Sequence, residues 1–152
     1  MKKSKNKNRK KFIYLLACSI SLILIYIAVD MFVLSKTTEL ALEISPKQAY
    51  NENMVIIDTR PPERCEQTGR AKNAYHLPIT LDSSPKDYLQ KVEKIAKGRP
   101  VAFICNTGRA SLMIAQQYRE SYNYKNMASI VGGMEGNGGW LAEKLPVDSC
   151  TQ

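Results

Sequence analysis

The stretch Val101-Ala102-Phe103-Ile104-Cys105-Asn106-Thr107-Gly108-Arg109-Ala110-Ser111 decides how this chain is read. An apolar run of strand length ends on a cysteine, and a short loop with a glycine and an arginine leads straight into a helical pattern. A strand that stops at a cysteine and turns at once into a helix aims main-chain N–H groups, and the positive end of the helix dipole, at the sulfur. Such a site favours a thiolate, and the charge of Arg109 adds to the effect. A free cysteine buried at a strand end is the plainer alternative. The loop argues against it, because an anion cradle of main-chain amides needs Gly108 and a neighbouring basic residue, whereas a structural strand end does not.

Outward from this loop, strand and helix alternate. Ser45-Pro46 reads as a cap followed by proline at the first helical position, opening a short helix that turns Ala49 and Tyr50 inward. Met54-Val55-Ile56-Ile57-Asp58 is a continuous apolar run, as expected of a strand buried on both faces of a parallel sheet. A loop rich in Pro61, Pro62 and Gly69 follows, then a short strand over Ala74-Tyr75-His76-Leu77-Pro78. Ser84-Pro85 opens another helix, with Tyr88, Leu89, Val92, Ile95 and Ala96 at helical spacing and Gly98 closing it. Downstream of Cys105 a helix runs from Arg109 to about Ser121 with Ala110, Met113, Ile114 and Tyr118 inward, and Met127 to Val131 forms a further strand. The alternation predicts an α/β domain around a mostly parallel sheet. In such sheets ligands sit beyond the carboxyl ends of the strands, where Cys105 falls.

The formal charge of +8 is concentrated in residues 1–11, which carry seven Lys or Arg and no acid. With that tail removed no basic patch interleaved with aromatics is left, so a nucleic-acid partner has no support. From Phe12 to Val29 the chain is apolar, and after Asp30 it continues Met31-Phe32-Val33-Leu34. This predicts a transmembrane helix over 12–34, long enough to cross a hydrocarbon core of about 30 Å, with Asp30 toward the far interface. The basic flank keeps the N-terminus in the cytoplasm and places the rest outside. The expected order is a basic tail (1–11), a signal anchor (12–34), a linker (35–44), the folded domain (45–148) and a short tail (149–152). A cleaved signal peptide is disfavoured by the length of the apolar run and the lack of a small-x-small site after it. Lipidation at Cys18 is a minor alternative.

Cys65 and Cys150 lie in the soluble part, where an extracytoplasmic location permits a disulfide; two free thiols are equally compatible with the sequence. One histidine and no closely spaced cysteine pair give no support for a metal site.

In their order and spacing, Ile57-Asp58-Thr59-Arg60, Glu66-Gln67-Thr68-Gly69 leading to Ala74-Tyr75-His76-Leu77-Pro78, the loop Cys105 to Ser111, and Gly132-Gly133 followed by Trp140 and Leu145-Pro146-Val147 resemble a single-domain rhodanese, of the thiosulfate sulfurtransferase family. The resemblance covers roughly residues 44 to 148, and the loop looks most like those of small periplasmic rhodaneses. It implies a three-layer domain. It also implies that Cys105 attacks the outer sulfur of a small anionic donor such as thiosulfate, carries it as a persulfide and passes it to cyanide or a thiol. Asn106, Thr107, Gly108, Arg109, Ala110 and Ser111 would then bind the substrate, and preorganised amides would stabilise the charge of the transferred sulfur. Asp58 and Arg60 would form a salt bridge supporting the loop, while His76 and Trp140 would be structural and Gly132-Gly133 would allow close backbone approach. No cofactor is implied, and no protein partner is named.

Two departures stand out. Many relatives carry arginine where this chain has Ala110, and the segment before the second strand reads Gly69-Arg70-Ala71, which puts Arg70 near the ligand-facing edge by analogy. Asn137-Gly138-Gly139 lengthens the stretch before Trp140, as either a mobile rim over Cys105 or a passive surface loop. A phosphatase using the same loop needs arginine six positions after the cysteine, where Ser111 stands. A membrane-tethered binding module without turnover, and a thiol relay with Cys65 or Cys150 as resolving thiol, are the other readings.

Overall fold

The computed structural model describes residues 19–27 and 40–150. Residues 19–27 are helical, and among the described residues no helix is long and apolar enough to cross a membrane. The rest of the expected span 12–34, and the basic tail before it, lie outside the described residues.

The described residues 40–150 form one compact unit. Its elements are β1 (Glu43–Ile44), α1 (Pro46–Asn51), β2 (Val55–Asp58), α2 (Pro62–Thr68), β3 (Arg70–Ala71), β4 (Tyr75–His76), α3 (Pro85–Ala96), β5 (Val101–Ile104), α4 (Arg109–Tyr122), β6 (Met127–Ile130) and β7 (Val147–Asp148). Five strands make a sheet in the order β1-β6-β5-β2-β4, every pairing parallel. A two-stranded antiparallel sheet joins β3 to β7. The first strand, Glu43–Ile44, falls within the stretch read from sequence as linker.

Both faces of the central sheet are covered, which is why β2, β5 and β6 are buried at every position and mostly apolar. Ile56, Ala102, Ile104, Ala128 and Ile130 face one core with Ala49, Met134 and Trp140. Val55, Ile57, Val101, Phe103 and Met127 face the other, packed by Tyr88, Leu89 and Val92 of α3 and Ile114, Ala115 and Tyr118 of α4. Trp140 is fully buried, and its indole N–H donates to the Pro146 carbonyl at 2.9 Å. Tyr118 donates its hydroxyl to the Pro85 carbonyl at 3.0 Å, and burial, helped by Tyr122, pushes its phenol up to about 12.

The helix starts follow their caps. Ser45 Oγ accepts from the Gln48 N–H at 3.1 Å with Pro46 at the first helical position, and Ser84 Oγ accepts from Asp87 at 3.4 Å ahead of Pro85. The segment expected to be a Pro-rich loop is instead the helix α2. Pro62 occupies its first turn, where the missing N–H costs nothing, and Gly69 ends it at φ 72°. Three residues expected inward are exposed: Tyr50, which lies edge-on to Trp140, and Ala110 and Met113 on α4. On α4 the positions facing the core are Ile114 and Tyr118, as expected, with Ser111 and Ala115 in place of Ala110 and Met113.

Cys65 of α2 and Cys150 beyond β7 form a disulfide, with Cα atoms 5.6 Å apart. His76 lies beside it, and a ring nitrogen and the two sulfurs fall within 4.8 Å of one another. Sequence gave no hint of this grouping; as a disulfide the sulfurs are not thiolate ligands.

Candidate active site around Cys105

Sheet register sets the site. β2 and β5 run parallel with Asp58 paired to Ile104, so Thr59 and Arg60 emerge from the sheet beside Cys105. Thr59 fixes the exit by donating both its N–H (2.9 Å) and its hydroxyl (3.1 Å) to the Ile104 carbonyl. Cys105 is 6% exposed and, among the described residues, is the cysteine left free.

The loop then climbs to Gly108, at φ 88°, which serves as N-cap of α4. The first turn of a helix leaves its N–H groups without intrahelical acceptors. That of Ser111 donates to Cys105 Sγ at 3.4 Å, and so does the Ser111 hydroxyl, also at 3.4 Å. Behind the sulfur, Ser111 Oγ lies 2.8 Å from Ser129 Oγ on β6, and both hydroxyls reach the Gly108 carbonyl, at 3.0 and 3.3 Å. Both serines are fully buried. Ser129 is not among the residues expected at the site, and its one signal in the sequence is a lone polar residue in Met127-Ala128-Ser129-Ile130.

The loop is backed by the chain after β6. Met134 N–H donates to the Cys105 carbonyl and Glu135 N–H to the Asn106 carbonyl, each at 2.8 Å. With its nitrogen turned toward Glu135, the Asn106 amide donates to that carboxylate at 2.8 and 3.1 Å. Gly133, at φ 55°, makes this approach possible: a Cβ there would overlap the Cys105 carbonyl oxygen and lie 2.6 Å from the Gly108 nitrogen. Asn137-Gly138-Gly139 is no rim over Cys105. It is absent from the cavity lining, and Gly139 packs tightly against Gly132 and Gly133.

Arg60 is the support beneath. It is 2% exposed and Asp58 is 0% exposed, so this is a buried ion pair that needs further hydrogen bonds to offset desolvation. Arg60 Nε and Nη2 bind the Asp58 carboxylate at 2.7 to 3.1 Å, and the remaining donors go to Thr68 Oγ1 (2.8 Å) and the Gly69 carbonyl (2.6 Å). Arg60 Nη1 also stands 3.8 Å from Glu135. The Arg60 carbonyl accepts from His76 Nε2 at 2.8 Å, which fixes the tautomer of that ring and makes His76 a structural donor.

Above the sulfur opens a cavity of about 420 Å³. Cys105, Asn106, Thr107, Arg109 and Ala110 line it, whereas Gly108 and Ser111, also expected to bind substrate, are not part of its lining. Thr59, Arg60, Pro61, Ile79 and Met113 complete its lining. Arg70, placed by analogy near this edge, lies instead on β3, paired with Asp148.

Residues 44–139 match the Rhodanese-like domain family, and the chain belongs to that family. Among solved structures, a rhodanese-related protein from Thermoplasma volcanium is 20% identical over 71% of this chain and 98% of its own, with a TM-score of 0.51. A Rhodopseudomonas palustris protein of unknown function, described as a possible tyrosine phosphatase, is 20% identical over 78% of this chain and 91% of its own, with a TM-score of 0.50. The reduced Bacillus anthracis CoADR-RHD is 17% identical over 59% of this chain, with a TM-score of 0.45, and this chain spans 14% of that protein. At these identities the likeness is one of fold. No curated protein matches the sequence.

Proposed function

We propose that the chain is a sulfurtransferase that carries sulfane sulfur as a Cys105 persulfide. One observation carries the reading: the Cys105 sulfur sits at the amino end of α4, takes two hydrogen bonds from Ser111, and forms the floor of an open cavity. Donors aimed at a sulfur anion stabilise both the attacking thiolate and the persulfide that replaces it. With thiosulfate as donor, the Cys105 thiolate attacks the outer sulfur, the donor's S–S bond breaks, and its electron pair leaves on sulfite. Exposed Arg109 at the cavity wall favours entry of an anion. No step of this chemistry calls for a cofactor. Phosphoryl transfer is disfavoured, because Ser111 stands where a bidentate arginine would have to grip phosphate.

The domain acts, in this reading, outside the cytoplasm on an N-terminal membrane anchor. The basic tail followed by the apolar run from Phe12 supports it, as do the helical stretch 19–27 with its exposed Leu22, Ile23, Leu24 and Ile25 and a disulfide suited to an oxidising compartment. Protease added to spheroplasts with an intact cytoplasmic membrane should remove the domain; protection there, lifted only on lysis, would overturn this placement.

The chemical test is the intact mass of the full chain after incubation with thiosulfate. A gain of one sulfur atom, reversed by cyanide with release of thiocyanate and absent in Cys105→Ser, is expected. No gain on reduced, folded protein with any sulfane donor would make the domain a binding module instead.

A further inference from the structure

Met113 lies on the α4 face expected from helical spacing to be core, yet it is 67% exposed, and Ile79, at 37%, faces the same cavity. Large apolar side chains left in water around a reactive group mark a binding surface rather than packing. The cavity is correspondingly two-sided. Cys105 and the loop residues Asn106, Thr107 and Arg109 line it together with Thr59 and Arg60, while Pro61, Ile79, Ala110 and Met113 make up its apolar part.

Thiosulfate makes no use of that apolar part: it is a small, strongly hydrated dianion, and its reacting sulfur belongs on the floor. Once the persulfide has formed, the transferred sulfur occupies the floor and its donors. For the body of the second substrate the cavity then offers the apolar surface of Pro61, Ile79, Ala110 and Met113, beside the polar Thr59, Arg60 and Arg109. A volume of about 420 Å³ falls within the range of small-molecule sites.

We infer that the sulfur acceptor is a small thiol with an apolar body, seated against Ile79 and Met113, rather than cyanide or a highly charged thiol. This rests on the Cys105 persulfide proposed above. In the step, the acceptor thiolate R–S⁻ attacks the outer sulfur of the persulfide. The persulfide S–S bond breaks, its electron pair returns to Cys105 Sγ, and R–S–S⁻ leaves, so charge and sulfur balance without an added oxidant or reductant.

The test uses the full chain loaded with thiosulfate and freed of excess donor, then discharged with ethane-, propane-, butane- and pentanethiol. These share one sulfur nucleophile, so any rise in discharge rate along the series reports burial of the alkyl body. Roughly two- to fourfold per methylene is expected, from about 0.8 kcal/mol for a fully buried CH₂. Met113→Ser and Ile79→Ser should each flatten that slope, and a slope is unaffected by the fraction of protein that is active. A flat series in the wild type, or a slope that survives in both variants, overturns the inference while leaving the persulfide standing. Failure of thiosulfate or any other donor to load Cys105 removes the persulfide reading and this inference with it.

Discussion

Glu135 and Asn106 are joined through both main chain and side chain: the Glu135 N–H donates to the Asn106 carbonyl at 2.8 Å, and the Asn106 amide donates back to the Glu135 carboxylate. The carboxylate also faces Arg60, the buried cation beneath the site. Glu135 therefore ties the residue after the nucleophile to the support of the loop, as a positioning residue. Glu135→Ala should slow persulfide loading about tenfold, the scale of one lost hydrogen bond to a charged group, while Glu135→Gln, which keeps an acceptor for Asn106, recovers most of the rate. Asn106→Ala combined with Glu135→Ala should cost little more than either alone. Additive losses measured by single-turnover loading would contradict a shared role.

The hydroxyls of Ser111 and Ser129 carry two protons between them, for Cys105 Sγ, the Gly108 carbonyl and each other. When the sulfur is an anion, the consistent arrangement is Ser111 donating to sulfur and Ser129 donating to Ser111 or Gly108. Ser111→Ala removes the hydroxyl donor and should slow alkylation of Cys105 by iodoacetamide at neutral pH by roughly tenfold. Ser129→Ala acts through Ser111 and should have a smaller effect in the same direction. Alkylation in Ser111→Ala as fast as in wild type would remove the hydroxyl from the site's chemistry.

Much of this arrangement was legible in the sequence, because short-range rules governed it. The apolar strand ending at Cys105, the caps at Ser45 and Ser84, and the alternation of strand and helix each follow from local periodicity and turn chemistry. The Pro61-Pro62 stretch misled because proline suits a loop and a first helical turn equally. Met113 misled because helical spacing identifies a face without saying whether protein or substrate covers it. Ser129 reaches the site through sheet register, paired to Phe103 two residues before the nucleophile, and Glu135 through the turn after β6 that bonds to Asn106; neither kind of placement has a single-sequence signature.

The Cys65–Cys150 disulfide closes a long loop, with a sequence separation of 85, and so removes much of the unfolded chain's freedom. Loops of this length are worth about 2–5 kcal/mol. Reduction, or Cys150→Ser, should lower the melting temperature on the order of 10–20 °C, measured calorimetrically with and without reductant. Persulfide loading well below the melting point should persist, since neither sulfur lines the Cys105 cavity. Slowed sulfur release from a loaded, folded Cys150→Ser protein would instead point to the thiol relay.

Asp148 fastens β7 to the turn after β3. Its carboxylate accepts from Lys72 Nζ at 2.7 Å and from the Asn73 N–H at 2.9 Å. These bonds, the Lys72 contact foremost and Arg70 adding its charge, hold the carboxyl below its ordinary value of 3.8. A depressed carboxyl contributes stability that is present above the unfolded value and is lost as pH falls through the folded one. Asp148→Asn should therefore lower the urea midpoint by a constant amount above about pH 5, with the difference from wild type closing as the pH is taken below the ordinary carboxylate range. The ion pair is partly exposed, so added salt should shrink the neutral-pH difference. A gap between the two proteins that stays constant down to pH 2 would show that Asp148 acts through its shape and its bond to Asn73, not through its charge.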